Sequence, residues 1–469
     1  MEHVGTLITH AHMFTMKGDG VGYVADGAIA IRDGRIIAVG PTAELSPLYS
    51  AEEHIDATGH AMLPGFINAH VHTPVTMIRG VAQDVDKSFE NEFWTFYKHV
   101  SEDDQAAGSK FCILEGLKAG TTTFLDHAAP FPGWAESFVD AGVRARLAVL
   151  ISALGADAEL NGLYRLMQDD ARTGIDDAVT YACRWRGAAG GRVTTLLGPA
   201  APDIVLREHL LAIKRAADRE GLMIHMHVAQ GDREIAQMLA RYGQRTSQYL
   251  DKIGYLNDSL IAVHLTEATE DEVNLMASRG VRMVLCSSSI GLIDGIVPPA
   301  QSFKAAGGRV ALGSDNSAPS MWNEMRLTAL FNKIARRDPK RMPAWEVLRM
   351  ATIESARAIG LGDAIGSLEV GKQGDLILID LSELSMSPLF EAPVRNIVPN
   401  LVYSARGTEV KTVIVAGKVL MRAGQVLTMN EQAIRRDAQA AARAIERRVR
   451  ADADHEQLAL VAAARRGML

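Results

Sequence analysis

The sequence predicts an α/β protein in which a (β/α)8 TIM-like barrel is combined with a small β-sandwich domain formed by the N- and C-terminal segments. Two patterns of apolar and polar residues along the 469-residue chain indicate this fold. The middle of the chain alternates short apolar runs with longer helical patterns, which is typical of parallel β/α architecture. Both ends carry shorter alternating runs with turn signals, which are typical of a small sheet.

The first part of the β-sandwich is predicted in residues 1–58. Here GAIAIRDGRIIAVG places Asp33 and Gly34 between two apolar runs, as a hairpin turn would. The same pattern of short alternating runs recurs in residues 368–429, in GDLILIDL and TEVKTVIVAGKVLMRAGQV. We therefore expect the two ends of the chain to pair into one sheet domain, with the barrel inserted between them.

The barrel is predicted in residues 59–367, with a strand count near eight. Its apolar runs are GTTTFLDH, ARLAVLIS, VTTLLGPA, LMIHMHVA, LIAVHL, VRMVLCSS and VALGSDN. Helical stretches such as EHLLAIKRAADREG lie between them, with an apolar stripe at helical spacing and a glycine at the expected C-terminal end. Residues 430–469 are rich in Ala, Arg and Glu, which predicts a C-terminal helical tail that packs on the barrel or on a neighbouring subunit.

Charge and cysteine content narrow the class of protein. The net charge is −7, and acidic and basic residues are mixed along most of the chain, so no nucleic-acid partner is expected. The three cysteines lack metal-ligand spacing, which fits reduced thiols and a cytoplasmic location. The chain has neither a basic start followed by an apolar core nor a run of about 18 apolar residues, so we expect it to be neither exported nor membrane-spanning.

Five metal-competent side chains end or directly follow apolar runs of the barrel. They are His70 and His72 in PGFINAHVH, His227 in IHMHVAQ, His264 in IAVHLTEA and Asp315 in RVALGSDN. The carboxyl ends of barrel strands share one rim, so we expect these groups to meet there. His70 and His72 are two residues apart on a strand and therefore point to the same face. Imidazoles with a carboxylate suit zinc or ferrous iron.

The same pattern predicts one divalent metal ion per subunit. The segment RVTTLLGPAAPD has no lysine that could be carboxylated to bridge a second ion. Zinc is the first expectation, with iron, cobalt or manganese as alternatives. Such an ion lowers the pKa of a bound water toward about 7, and Asp315 is placed to accept the proton of that water. Because His225 and His227 lie on one strand, the pattern alone leaves open which of them is a ligand.

With these residues, the chain resembles the amidohydrolase superfamily, in the branch that contains triazine hydrolases, cytosine and guanine deaminases and adenosylhomocysteine/methylthioadenosine deaminases. The resemblance covers essentially the whole chain and includes PGFINAHVH, GTTTFLDH, HMHVAQ, VHLTE, LGSDN, RMATIESARAIGL, GSLEVGKQGDLILIDL and VIVAGKVLMRAG. It implies His227 rather than His225 as the third histidine ligand, beside His70, His72 and Asp315. It leaves His264 as a further ligand or as a base on the bound water, and it implies a homo-oligomer, either a dimer or a tetramer.

The chain departs from this branch at Gln230. Deaminases of the branch carry a glutamate there, three residues after the metal histidine, to protonate a ring nitrogen, and a glutamine amide cannot move that proton. Residues 199–203 read PAAPD where adenosine-type deaminases have a PHAPY-like segment, so nucleoside recognition of that kind is not expected. Glu267, three residues after His264, is a candidate replacement for the missing acid. Alternatively, Glu267 is a carboxylate at a helix start, and Gln230 hydrogen-bonds a substrate carbonyl.

Four further residues are candidates for substrate binding. His127 follows the strand FLDH, Phe93 and Trp94 lie in FENEFWTFYKHV, and Ser288 follows VRMVLC. Each also has a structural interpretation. For Phe93 and Trp94 this is core packing, because aromatic clusters are more often core than binding surface.

The leading functional prediction is a metal-dependent amidohydrolase that cleaves a C–N bond of a small amide, urea, carbamate or cyclic substrate with metal-activated water. One alternative is a hydrolytic deaminase or dechlorinase of a nitrogen heteroaromatic such as a triazine, purine or pterin. A second alternative, which Gln230 motivates, is a catalytically weak barrel that only binds a ligand.

Overall fold

The computed structural model describes residues 1–85, 92–152 and 170–469 of the chain. These residues form two sheets, one parallel and eight-stranded, the other mixed and built from both ends of the chain. The eight parallel strands form a nearly closed barrel, and the mixed sheet lies separately from it. The predicted TIM-like barrel and terminal sheet domain are therefore confirmed.

The strands fall into three groups along the chain. The N-terminal strands are β1 (Glu2–Phe14), β2 (Tyr23–Arg32), β3 (Arg35–Pro41), β4 (Tyr49–Asp56) and β5 (His60–Pro64). The barrel strands are β6 (Phe66–Val71), β7 (Thr121–Ala128), β8 (Arg144–Ile151), β9 (Val193–Pro199), β10 (Ile224–Val228), β11 (Leu260–His264), β12 (Arg282–Leu285) and β13 (Arg309–Leu312). The C-terminal strands are β14 (Leu376–Asp380), β15 (Val410–Val415), β16 (Lys418–Arg422) and β17 (Gln425–Val426).

The α-helices of the described residues cover the barrel and extend beyond it. They are α1 (Thr42–Leu45), α2 (Trp94–Tyr97), α3 (Glu102–Lys118), α4 (Trp134–Ala141), α5 (Asp170–Trp185), α6 (Ala188–Gly191), α7 (Arg207–Glu220), α8 (Gly231–Tyr242), α9 (Thr246–Lys252), α10 (Glu270–Ser278), α11 (Ser287–Ser289), α12 (Ala300–Ala305), α13 (Met321–Arg336), α14 (Ala344–Met350), α15 (Ile353–Ala358), α16 (Ile397–Tyr403), α17 (Glu431–Ala451) and α18 (Ala459–Arg465). A π-helical turn, Ile290–Asp294, continues α11. None of the helices in this part of the chain is long and apolar enough to cross a membrane.

The mixed sheet joins the two ends of the chain through β5 and β14. These strands pair antiparallel, β1 lies on the other side of β5, and β15, β16 and β17 follow β14 in order. The predicted hairpin turn lies between β2 and β3, where Asp33 and Gly34 have φ angles of 51° and 77°. Two consecutive residues with positive φ are what a tight turn between strongly twisted strands requires.

The barrel closes between its first and last strands. The backbone N–H groups of Ser314 and Asp315 both donate to the carbonyl oxygen of His70, at 2.9 and 3.0 Å. The Asn68 amide adds a reciprocal pair with Ser314, donating to its hydroxyl at 2.7 Å and accepting from its backbone N–H at 3.0 Å. These bonds hold the segments of His70 and Asp315 side by side.

The C-terminal tail packs on the barrel, which is one of the two placements that its sequence predicts. Ile445 and Val449 of α17 lie in an apolar cluster with Val100 and Ile78. Beyond α17, the Lys98 ammonium contacts the carboxylate of Asp452 at 2.6 Å. The tail thus supports the segment that follows the first barrel strand.

Candidate functional site

The structure brings the five predicted ligand side chains together at the carboxyl ends of the barrel strands. Oδ1 of Asp315 lies 3.2 Å from Nε2 of His70 and 3.3 Å from Nε2 of His72. Nε2 of His227 lies 3.3 Å from Nε2 of His72, and Nε2 of His264 lies 3.9 Å from Oδ2 of Asp315. Four β-strand ends far apart in sequence therefore converge on one point.

Backbone carbonyls fix the orientation of two of these rings. Nδ1–H of His72 donates to the carbonyl of His127 at 2.6 Å, and Nδ1–H of His227 donates to the carbonyl of Ala200 at 2.7 Å. A neutral imidazole has one N–H, so Nε2 of each ring is left with a free lone pair. Two lone pairs facing each other at 3.3 Å repel unless a cation lies between them. This arrangement is typical of metal-binding histidines, whose second nitrogen is held by a hydrogen bond.

His225 contacts the ring of His70, one of the predicted ligands. Its Nε2 lies 2.8 Å from Nδ1 of His70. If Nδ1 of His70 donates, then Nε2 of His70 is free for an ion, and this nitrogen has no hydrogen-bond partner although it is buried. The contact gives His225 a positioning role and is consistent with His227 as the ligand on β10.

Burial keeps most of these imidazoles neutral. It lowers the pKa of His70 to about 4 and that of His264 to about 3, and it holds the pKa of His227 well below its ordinary value. Burial also lowers the pKa of His72, but the hydrogen bond and charge of Asp315 outweigh it, and the net shift is upward. Asp315 is buried too, yet its close contacts with the rings of His70 and His72 hold its pKa well below the ordinary value. Neutral imidazoles beside an ionised carboxylate are the form that binds a metal.

The donor set fits a divalent ion. Ligand atoms of His70, His227, His264 and Asp315 all lie within 4.8 Å of one another. The same is true of a second, overlapping set, which consists of His70, His72, His127 and His227. Both ring nitrogens of His264 are buried without a hydrogen-bond partner. His264 and Asp315 also have φ angles of 79° and 53°, a region that L-residues rarely adopt. Strained backbone of this kind concentrates at functional sites.

His127 lies inside this cluster of rings. Its Nε2 donates to the carbonyl of Gly198 at 3.1 Å, and its Nδ1 is buried without a partner. The preceding Asp126 accepts from the backbone N–H and the hydroxyl of Thr73 and from the indole of Trp134. Asp126 thereby anchors the turn that follows His72, and contact of His127 with substrate stays a prediction.

Gln230 ends the loop after β10 and begins α8. Its backbone N–H donates to Oε2 of Glu234 at 2.9 Å, and the Ala229 N–H donates to Oε1 of the same carboxyl at 2.7 Å. Burial and the nearby charge of Asp203 raise the pKa of Glu234 to about 8. Glu234 thus holds the backbone of the Gln230 loop.

Two carboxyl groups lie on the neighbouring loops, near Asp315. The backbone N–H of Glu267 donates to the carbonyl of Ala229 at 2.9 Å, which places Glu267 beside the Gln230 loop. Asp294 ends the π-helical turn, and its buried Oδ2 has no hydrogen-bond partner. Burial raises the pKa of Asp294 to about 7, the charges of Asp315 and Glu267 add to the shift, and Arg233 opposes it. Asp294 is not among the site residues predicted from the sequence, because nothing in GLIDG indicates that this aspartate faces the site.

Two serines that follow β12 contact different carboxyl groups. The hydroxyl of Ser289 donates to Oδ2 of Asp315, whereas the backbone N–H of Ser288 donates to Glu324 at 3.2 Å. Burial raises the pKa of Glu324 to about 7. The hydroxyl on Asp315 therefore belongs to Ser289, a neighbour of the predicted residue, and a substrate contact of Ser288 stays a prediction.

A cavity opens beside the site. Phe93 and Asn316, the residue after Asp315, lie in its lining, which consists of Val75, Ile78, Ala82, Gln83, Phe93, Ile293 and Asn316. Trp94 packs edge-to-face on Phe93, with ring centroids 5.6 Å apart. Phe93 therefore lines this small cavity and Trp94 packs against it, and contact of either residue with substrate stays a prediction.

Comparison with known proteins is consistent with this site. Residues 61–420 match the Amidohydrolase family, and residues 27–49 match the imidazolonepropionase-like composite domain of bacteria. The chain belongs to the amidohydrolase family, as the sequence motifs predict.

Individual relatives are similar over nearly the whole chain. A 5-methylthioadenosine/S-adenosylhomocysteine deaminase of Moorella thermoacetica is 35% identical over 418 residues, covering 88% of this chain and 93% of that protein. The crystal structure of an adenosine deaminase from Xanthomonas campestris with bound zinc superposes with a TM-score of 0.87 and 30% identity, covering 96% of this chain and 100% of that one. Atrazine chlorohydrolase from Arthrobacter aurescens, complexed with zinc, shares the fold at a TM-score of 0.81 and 22% identity, covering 93% and 100% of the two chains.

Proposed function

We propose that this protein is a metal-dependent hydrolytic deaminase of an amino-substituted nitrogen heteroaromatic, in the class of adenosine-like purines. The observation that carries the proposal is the convergence of four histidines and Asp315 in a chain whose relatives, at about one-third identity over nearly their full length, are deaminases of such compounds. The sequence motifs alone favour a small amide or urea as substrate. The comparisons favour the deaminase alternative instead.

Residues of this chain would hold and orient the reacting groups. His70, His72 and His227 would bind a zinc ion, with Asp315 and His264 completing the site. The ion, when bound, supplies a water of lowered pKa as the nucleophile. Asp315 would accept the proton of that water, and the Ser289 hydroxyl would keep the Asp315 carboxylate in place. Ammonia leaves from the ring carbon that the water attacks.

Ring-nitrogen protonation requires an acid other than Gln230. Glu267 is held beside the Gln230 loop, and Asp294 has a buried, unpaired oxygen. A pKa of about 7 makes Asp294 suited to donate a proton at neutral pH. We assign the donor role to Asp294 first and to Glu267 second.

A second candidate function rests on Gln230 itself. Its amide is a hydrogen-bond donor where the deaminases of this branch carry an acid, so it would bind a carbonyl oxygen and not protonate a ring nitrogen. This arrangement favours hydrolysis of a small amide, urea or carbamate.

The deciding experiment is turnover by zinc-loaded protein on a panel of 6-aminopurine nucleosides, aminotriazines, amides and ureas, with products identified by mass spectrometry. Ammonia release from ring substrates supports the deaminase proposal. Cleavage of carbonyl substrates alone supports the second function. Zinc-loaded protein that binds panel members and turns over none of them contradicts both and leaves a ligand-binding barrel.

Variants then test the proton donor on the ring substrate that turns over. Asp294→Asn should lower kcat by about 100-fold if Asp294 protonates the ring, as is typical for loss of a general acid. Glu267→Gln is the parallel variant, and Asp271→Asn, at an exposed acid on α10, is the matched control. A Gln230→Glu variant should restore part of the activity of Asp294→Asn. Wild-type kcat in both Asp294→Asn and Glu267→Gln would contradict the assignment of either residue.

A further inference from the structure

A second group of metal-competent side chains overlaps the candidate metal site and consists of histidines alone. One ring nitrogen of each member lies within 4.8 Å of the others, and the members are His70, His72, His127 and His227. The group that contains His264 and Asp315 has only His70 and His227 in common with it. The ring that distinguishes the all-histidine group from the predicted ligands is therefore His127.

The ring of His127 is held in the same way as the rings of two predicted ligands. Its Nε2–H donates to the carbonyl of Gly198 at 3.1 Å. Backbone carbonyls likewise accept from Nδ1–H of His72 and of His227, at 2.6 and 2.7 Å. A neutral imidazole has one N–H, so the lone pair of His127 is on Nδ1. A hydrogen bond on one ring nitrogen and a free lone pair on the other is the pattern of metal-binding histidines.

Nδ1 of His127 has no hydrogen-bond partner among the described residues, although it is buried. Only 1% of this residue is exposed. A buried acceptor that is left unsatisfied costs about 1 to 3 kcal/mol. A cation bound to this nitrogen would remove the cost, whereas a purely structural histidine would carry it without compensation.

Gly198 makes room for the His127 ring. A Cβ atom at this glycine would lie 2.7 Å from Nε2 and 2.8 Å from Cδ2 of His127, which is closer than real side chains approach. Gly198 lies within β9, and a glycine inside a strand often marks the close approach of another group. Any larger residue at this position would displace the ring from the cluster.

We propose that His127 is a metal ligand and completes a second, all-histidine position for a divalent ion. The inference rests on the metal site of the proposed function and not on its substrate. Because the two groups share His70 and His227, one ion occupies them at a time. Copper(II) binds nitrogen sites most tightly among the first-row divalent ions. The all-histidine position is therefore the one that copper(II) takes, whereas the position with a carboxylate suits zinc.

The test is electron paramagnetic resonance of the full-length protein, freed of zinc and loaded with one equivalent of copper(II) at neutral pH. The spectrum distinguishes four nitrogen ligands from sets that include oxygen. We expect four nitrogens in the wild type and three in His127→Gln, with copper(II) affinity at least about tenfold weaker in the variant. The glutamine keeps an amide donor for the Gly198 carbonyl and the backbone carbonyl that holds His72, so only the imidazole is lost.

His209→Gln is the matched control. Nδ1 of His209 is also buried without a partner in the described part of the chain, but this residue lies on α7, outside both groups. The control should keep the wild-type spectrum and affinity. A wild-type spectrum with fewer than four nitrogens overturns the proposal, and so does an identical spectrum in His127→Gln. These measurements need no substrate, so they stand whether or not the protein deaminates any compound.

Anomalous diffraction at the copper edge, from crystals of the wild-type protein, is the second measurement if His127→Gln does not fold. It should place the ion about 2 Å from Nδ1 of His127, the usual distance between a metal and an imidazole nitrogen. An ion bound by His264 and Asp315, without contact to either ring nitrogen of His127, overturns the proposal. The absence of a bound ion overturns it as well.

Discussion

Acidification should destabilise the metal-free protein through the histidines of the candidate site. Burial lowers the pKa of His70 to about 4 and that of His264 to about 3, against an ordinary value of 6.5 in the unfolded chain. The unfolded state therefore binds more protons than the folded state below pH 6.5. Stability is fully present above that pH and is lost as the pH falls toward about 4.

The size of the effect follows from the same pKa values. Between about pH 7 and 5, an unfolded histidine takes up about three quarters of a proton while His264 in the fold takes up almost none, which costs about 2 kcal/mol. His70 contributes a similar amount, so the two together remove about 4 kcal/mol. This is a large part of the ~5–15 kcal/mol that folded proteins typically have.

Urea denaturation of chelated protein at pH 7, 6 and 5 measures this loss. His264→Gln should lose about 2 kcal/mol less than the wild type between the two end points, because it no longer has that titration. His10→Gln, at an exposed histidine of the mixed sheet, is the control and should follow the wild type. If His264→Gln loses as much stability as the wild type on acidification, the reasoning from burial is wrong.

Two further substitutions have defined outcomes. Asp375→Asn removes the charge that pairs with buried Arg144 and should lower the free energy of unfolding in urea by about 3 to 5 kcal/mol. Glu53→Gln, which breaks a partly exposed ion pair, is its control and should cost under about 1 kcal/mol; equal costs would contradict the role of burial. Ser289→Ala removes the hydroxyl donor to Asp315 and should lower kcat at least about tenfold, with zinc content by elemental analysis unchanged. Loss of zinc in this variant would show that the hydroxyl supports metal binding instead.

Strand periodicity made much of this protein predictable from local sequence. The apolar runs end in His70, His72, His227, His264 and Asp315, and parallel strands in a barrel bring such ends to one rim. The barrel, the split terminal sheet and the hairpin at Asp33–Gly34 follow from patterns over a few residues each.

Contacts between segments that are distant in the sequence could not be predicted from local patterns. His225 and His227 share a strand face, and the 2.8 Å contact of His225 with His70 distinguishes their surroundings. Asp294 and Ser289 lie in segments without a recognisable pattern, and their contact with the site depends on the path of the chain after β12.

The sequence by itself determined the barrel, the split sheet and the candidate metal ligands, because each depends on local periodicity and on the order of strands. Only the tertiary structure decided which groups lack a partner. Asp294 is an ordinary residue in the sequence, and it becomes a candidate for function because packing buries its Oδ2 atom beside charged groups from other segments. Burial and pairing are properties of the whole fold, and no local pattern encodes them.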